Sequence, residues 1–247
     1  MAKKFISILG TTNYLPCIYQ YNGQSYGSDE GLRFVQEATI KAHCLDWEQQ
    51  DQILIFTTEE ADQKNWQDDG HTKEGNPVKS QGLKYRLECL KKSQGMKAAF
   101  ENIAIPAGGN EEEIWTIFNH IYDRLDKGDD VLFDITHAFR SIPMLTMVVL
   151  SYARVLKDIT LQGIYYGAME SLGNFKKLEQ MPVKERIVPI FDLTAFANLV
   201  EWSHAVEMFV KGGNAKEIER LANKEMGKIF RSQSSQTLHQ DAKKINT

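Results

Sequence analysis

Six short apolar runs rich in β-favouring residues recur along the chain: FISILG (5–10), QILIFTT (52–58), NIAIP (102–106), DVLFDIT (130–136), TLQGIYYG (160–167) and RIVPIFDLT (186–194). The first five lack clean alternation, which suits strands buried on both faces beneath helices. Helical patterns lie between most of them, at about 29–43, 59–67, 81–92, 110–126 and 141–157. Strand and helix in alternation require parallel pairing through right-handed crossovers. The expectation is therefore an α/β, doubly wound fold with a mostly parallel six-stranded sheet. A chain of 247 residues has room for one such domain and an appendage, or for two small domains.

Two stretches interrupt the alternation. YQYNGQSY (19–26) holds Asn22-Gly23 between β-favouring residues, the signal of a hairpin, and predicts a small ribbon after strand one. DDGHTKEGNPVKS (68–80) is polar and rich in turn formers and reads as a surface loop or mobile insertion. After Thr194 the pattern changes to two helices, AFANLVEWSHAVEMFVKGG and AKEIERLANKEMGKIF, joined at Gly212-Gly213-Asn214. The first carries Phe196, Leu199, Val200, Val206, Phe209 and Val210 on one stripe that needs a partner surface. The expected organisation is a ligand-sensing domain at 1–194, a helical appendage or dimer arm at 195–230, and a disordered tail at 231–247.

Composition narrows the class of function. A net charge of −4 argues against generic duplex-DNA or membrane-surface binding, which draws on surplus Lys and Arg. Cys17, Cys44 and Cys89 are widely spaced and form no C-x-x-C pair, so neither a zinc site nor a disulfide framework is expected. The opening MAKKFISILG supplies six apolar strand residues before Thr11, too few for a signal peptide. A cytoplasmic protein fits these features best. The histidines at 43, 71, 120, 137, 204 and 239 show no metal spacing, and no metal or cofactor is expected.

In an open parallel sheet, ligands bind beyond the carboxyl ends of the strands. After strand one stand Gly10, Thr11, Thr12, Asn13 and Tyr14, small hydroxyl and amide groups that suit either a phosphate-presenting loop or an ordinary βα turn. After strand four come Asp134, Ile135, Thr136, His137, Ala138, Phe139, Arg140, Ser141, Ile142 and Pro143, leading into an apolar helix. Thr136 and Ser141 offer hydroxyls at a helix start, and Arg140 a bidentate fork for phosphate. The alternative is that Asp134 and Ser141 cap the helix and Arg140 pairs on the surface. Strand five ends in Tyr165, Tyr166 and Gly167, where an aromatic suits either base stacking or core packing. Asn110, before Glu111-Glu112-Glu113, reads as a helix cap. The sequence holds no G-x-x-x-x-G-K-[ST], G-x-G-x-x-G or H-E-x-x-H motif, so NTP hydrolysis, classical dinucleotide binding and a zinc-peptidase site lack support.

GTTNY at the strand-one loop, RFVQEA (33–38), FTTEEADQKNW (56–66) and above all DITHAFRSIP (134–143) resemble the CRISPR-associated Rossmann-fold (CARF) domain. The resemblance covers roughly residues 3–194 and weakens into 201–219. It implies a Rossmann-like sensor from type III CRISPR antiviral defence, acting as a homodimer that binds a cyclic oligoadenylate across its two-fold axis, with the tetra-adenylate ring favoured over the hexa-adenylate. Carried onto this sequence, the ligand-binding residues are Gly10, Thr11, Thr12, Asn13, Tyr14, Asp134, Thr136, His137, Ala138, Phe139, Arg140, Ser141, Tyr166 and Gly167, with Arg140 on phosphate.

The sequence departs from the family's pattern at two places. The R-x(4–6)-H ribonuclease motif of a following HEPN domain is not found, since the late pair Arg231 and His239 is spaced differently. This leaves open an isolated sensor, a natural truncation and a chain cut before its effector domain. Ala138 stands where the family often has Gly. The rival reading is a metal-independent ring nuclease that slowly cleaves its own ligand by attack of a ribose 2′-OH, with Thr11, Thr12, His137 and Arg140 as candidate catalytic residues.

Overall fold

All six apolar runs form strands. In the computed structural model, which describes residues 1–73, 75–136, 142–223 and 225–227, they are β1 (Lys3–Leu9), β4 (Gln52–Thr57), β7 (Ala99–Ala104), β8 (Asp130–Asp134), β9 (Thr160–Gly167) and β10 (Ile187–Asp192). The hairpin expected at 19–26 also forms, as β2 (Ile18–Tyr21) and β3 (Gln24–Tyr26). Asn22 and Gly23 both take positive φ, 48° and 73°, as its tight turn demands. Rather than projecting as a ribbon, it extends the sheet, because β2 pairs in parallel with β10. The sheet thus has eight strands where six were expected, in the order β3-β2-β10-β9-β8-β1-β4-β7. Five of its seven pairings are parallel, and β10 runs antiparallel to β9.

The centre of this order, β7-β4-β1-β8-β9, is that of a doubly wound sheet. The chain steps outward from β1 through β4 to β7, then returns to the other side of β1 as β8. The winding therefore reverses at β1 and β8, and a crevice between connecting loops opens beyond their carboxyl ends. Residues such as Phe5, Ile53, Ile55, Phe34, Ile40 and Leu87 are fully buried on the sheet and its covering helices. Burial of about 25 cal/mol per Å2 of such surface is the main term holding the layers together.

Two local expectations change. The helix expected from residue 29 begins only at α1 (Val35–His43), because Cys17 and Leu32 exchange backbone hydrogen bonds of 2.9 and 2.8 Å that hold the preceding segment extended. Phe34 takes the N-cap position, and its N–H donates to Glu37 Oε1 at 3.1 Å. The polar stretch 68–80 carries a small hairpin, β5 (His71–Lys73) with β6 (Asn76–Val78), closed where Asp69 and Ser80 exchange hydrogen bonds. Strands of three residues are too short to show a period in sequence.

The helices between the main strands are α2 (Glu59–Ala61), continuing as a π-turn over Asp62–Trp66, then α3 (Leu83–Gln94), α4 (Glu111–Asp123) and α5 (Ile142–Lys157). Asn110 caps α4 as its sequence context predicts, its Oδ1 accepting from the Glu113 N–H at 2.9 Å. The aromatic rings of Phe118 and Tyr122 on α4 pack on Tyr152 of α5. A short helix α6 (Phe175–Gln180) precedes β10.

The chain divides into two compact units, Met1–Thr194 and Ala195–Thr247. The second carries nearly all of α7 (Thr194–Gly212), which ends where Gly213 turns to φ 66°, and a further helical stretch at 216–223. The stripe read from the sequence is exposed on this unit, with Phe196 at 66% and Val210 at 76%. Among the described residues no helix is long and apolar enough to cross a membrane.

Candidate functional site

The strand-one loop and the end of β8 sit side by side because β1 and β8 pair in parallel, with Ser7 opposite Asp134. Three residues beyond Ser7 the chain enters Gly10–Tyr14. Its shape is set by a residue far away in sequence. Asn65, fully buried in the π-turn, donates from Nδ2 to the carbonyls of Gly10 at 2.8 Å and Thr12 at 2.9 Å. Its Oδ1 accepts from Arg33 Nη2 at 3.1 Å and from His71 Nε2 at 3.0 Å. With the Asn65 amide committed in this way, His71 carries a proton on Nε2. Burial, then the Arg33 and Lys64 charges, holds its basicity below the ordinary histidine value.

Arg33 reaches the same loop at its far end. Its Nε donates to the Tyr14 carbonyl at 3.4 Å and its Nη2 to Asn13 Oδ1 at 3.5 Å. Carbonyls of the loop are thereby turned to Asn65 and Arg33. The backbone N–H groups of Gly10 and Thr12 face the Tyr14 hydroxyl, while among the described residues no partner takes up the N–H groups of Thr11 and Asn13. Unengaged backbone donors at a strand end are what an anionic ligand requires. Tyr14 itself is buried, with its ring edge-on to Phe34, and burial raises its phenol pKa.

The end of β8 is organised from beneath. Asp134, 1% exposed, accepts on Oδ2 from Ser7 Oγ at 2.9 Å, and Ser7 Oγ accepts from Gln36 Nε2 at 3.0 Å. Asp134 Oδ1 accepts from both the N–H of Thr136 at 3.1 Å and its Oγ1 at 2.5 Å. Thr136 Oγ1 accepts in turn from the Gly167 N–H at 2.9 Å. One chain of hydrogen bonds thus links α1, β1, β8 and β9. Burial raises the pKa of Asp134, and the bonds from Thr136 and Ser7 oppose that shift.

Of the residues singled out from sequence, Gly10, Thr11, Thr12, Asn13, Tyr14, Asp134, Thr136 and Gly167 come to this end of the sheet. Asp134 stands beneath the surface with both oxygens engaged, so it shapes the loop rather than lining it. Gly167 has to be glycine, since a Cβ there would meet Val35 Cγ2 at 2.6 Å. Tyr165 packs in the core and stacks on His43 at 4.3 Å. Tyr166 is half-buried and donates its hydroxyl to Glu170; burial and that carboxylate push its pKa up to about 12. His137, Ala138, Phe139, Arg140 and Ser141 lie outside the described residues, as do Arg231 and His239. Asn65, Arg33, His71, Ser7 and Gln36 were not singled out. Their side chains act on backbone far away in sequence, which a linear pattern does not show.

Sheet order defines a Rossmann-like α/β domain, with the Gly10–Tyr14 loop and the end of β8 gathered at its switch point. Residues 4–170 match the family described as "CRISPR system endoribonuclease Csx1, CARF domain". The chain belongs to this CARF-domain family and is a sensor-type domain of a CRISPR system. It is also similar to the CRISPR-associated protein MJ1674 of Methanocaldococcus jannaschii, 33% identical over 124 residues. That match takes in 49% of this chain and 18% of the relative, so the chain covers less than a fifth of that protein's length.

Proposed function

We propose that the chain senses a cyclic oligoadenylate, with a four-membered ring preferred, as a homodimer in type III CRISPR defence. The observation that carries this reading is the Gly10–Tyr14 loop, whose carbonyls are held by Asn65 and Arg33 while the N–H groups of Thr11 and Asn13 have no partner among the described residues. Such donors suit the phosphodiesters of a ring. Membership in the CARF family adds the ligand class, and Arg140, by resemblance, supplies charge to a phosphate.

A two-fold dimer presents each donor twice to a ligand that is itself cyclic and repeated. Support for pairing comes from α5, where Met144, Val148, Tyr152 and Val155 form an exposed apolar face, continued by Trp115 on α4. The helix comes next after β8 in the chain, so a second copy seated on this face brings the ends of the two β8 strands toward a shared axis.

Isothermal titration with cyclic tri-, tetra-, penta- and hexa-adenylate tests the ligand and ring size together. The expected result is tight binding of the tetra-adenylate at one ring per two chains. No heat with any ring would overturn the reading. Arg140→Ala is expected to weaken binding by about tenfold or more, the loss of a charge-assisted phosphate contact.

A further inference from the structure

A second cleft opens beside the strand-one loop, on the side away from β8. Its volume is about 500 Å3, within the range of small-molecule sites, and its walls come from residues 13–16, from Arg33, from the segment after β6 and from the first turn of α3. Arg33, Arg86 and Lys79 line it, and among the described residues no carboxylate does.

Arg33 is the unusual member. It is only 5% exposed, yet its hydrogen-bond partners are neutral oxygens: the carbonyls of Tyr14 and Gln81 and the side-chain amides of Asn13 and Asn65. Among the described residues no carboxylate forms an ion pair with it. Arg86 differs, since its Nε meets Glu37 Oε1 at 2.7 Å. Burying a cation is costly: burial together with the Arg86 charge depresses the basicity of Arg33, and the nearby Glu37 and Asp68 charges oppose that shift only in part. Packing on the Phe34 ring at 4.9 Å offsets only part of that cost. The lining also holds Ser80, whose Oγ is buried without a partner. A buried guanidinium bonded only to neutral oxygens and a hydroxyl without a hydrogen-bond partner therefore fall in one place. Leu15, Pro16 and Val78 supply an apolar wall in the same cleft.

We propose that this cleft is a binding site for a phosphate ester of nucleotide size, its charge answering Arg33, Arg86 and Lys79 and its base lying on the apolar wall. The phosphate belongs either to a free nucleotide or to one adenylate unit of a ring reaching past Asn13. The second source rests on the sensor reading above; the first does not.

The test uses the full chain, titrated with AMP, with inorganic phosphate against chloride at equal ionic strength, and with cyclic tetra-adenylate. Arg33→Gln breaks the loop contacts and can unfold the protein, so the deciding variants are Lys79→Glu, which reverses a rim charge, and Ser80→Phe, which fills the space. If free nucleotide is the occupant, AMP binds the unchanged chain, phosphate competes with it, and both variants weaken AMP by about tenfold or more. If the occupant is part of the ring, AMP binds weakly or not at all, while both variants weaken the tetra-adenylate by a similar factor. Binding of AMP that the variants reduce, with no ring bound, sinks the sensor reading and leaves this site standing. If the variants change the affinity of neither ligand, or if nothing binds, the proposal is overturned.

Discussion

The side-chain amide of Asn65 lies 2.8 Å from the carbonyl oxygen of Gly10, across 55 residues of sequence. The same Nδ2 holds Thr12, and the same side chain's oxygen is held by Arg33 and His71. The π-turn places it there: the Gln67 N–H closes on the Asp62 carbonyl, five residues back, at 3.0 Å, and Asn65 is fully buried within that turn. Inserted π-turns of this kind recur at functional sites, where they re-aim a side chain.

Replacing Asn65 by Ala therefore removes two donors to the loop and leaves the Arg33 and His71 donors facing an empty space. The expected cost is about 2–4 kcal/mol, from buried groups left without partners at about 1–3 kcal/mol each. Urea denaturation reads this directly. Asn65→Asp keeps the acceptor for Arg33 and His71 but sets a carboxylate against two carbonyls, so the loop should loosen even where stability partly survives. Faster amide exchange at Gly10 and Thr12, whose N–H groups face the Tyr14 hydroxyl, is the expected signature; exchange unchanged from the parent chain would contradict the clamp.

Much of this fold was legible as sequence because its strands are apolar runs of five to eight residues, where burial on both faces leaves a strong mark. The hairpin at Asn22-Gly23 and the cap at Asn110 were legible for a different reason, since each depends on chemistry local to a few residues. What stayed hidden was long-range. Nothing around Asn65 distinguishes it from any helical asparagine, and Arg33 looks like a surface residue in a helical pattern until Cys17 and Leu32 pair and pull its segment extended. The strand-end rule pointed to the loop, but the groups that shape it come from three other elements.

Two histidines make stability depend on pH in a stated direction. Burial lowers the basicity of His43, which stacks on Tyr165, and burial with the Arg33 charge lowers that of His71. A histidine whose folded pKa lies below its unfolded value binds its proton more readily when unfolded. Its contribution is thus fully present above about pH 6.5 and is lost as the pH falls through the folded value. Asp134 acts in the opposite sense: its raised pKa gives stability that fades as pH climbs above the ordinary carboxylate value of about 3.9. The histidine part of the unfolding free energy should therefore rise between about pH 5 and 7.5. A His43→Phe, His71→Gln double variant should show a flatter profile over the same range. An equal slope in parent and variant would show that these two groups do not set it.

Thr136 is the joint between β8 and β9, donating to Asp134 and accepting from Gly167. Thr136→Val keeps the shape and removes both bonds, leaving the Gly167 N–H without a partner at a cost of about 1–3 kcal/mol. Thr136→Ser retains the hydroxyl and should restore most of the loss. Ring affinity, measured by titration at a temperature where all three chains are folded, should follow the same order. Equal affinity in Thr136→Val and the parent would place this residue outside the ligand's reach.

The exposed face of α5 gives the last test, because it separates assembly from ligand chemistry. Val148 and Val155 are 54% and 80% exposed and lie on one side of a helix whose other side packs in the domain. Substituting such positions by Glu leaves the fold of a single chain nearly unchanged, within about 0.5 kcal/mol for exposed sites. If the face joins two copies, the same change desolvates a charge at the centre of an interface and should shift the chain from dimer to monomer at micromolar concentration in light scattering. The two effects are then compared in one variant. A Val148→Glu chain that is folded, monomeric and unable to bind the ring would mean that the ligand site is completed by the partner. A monomer that still binds the ring with full affinity would confine recognition to one chain, and a variant that remains dimeric would move the interface away from α5.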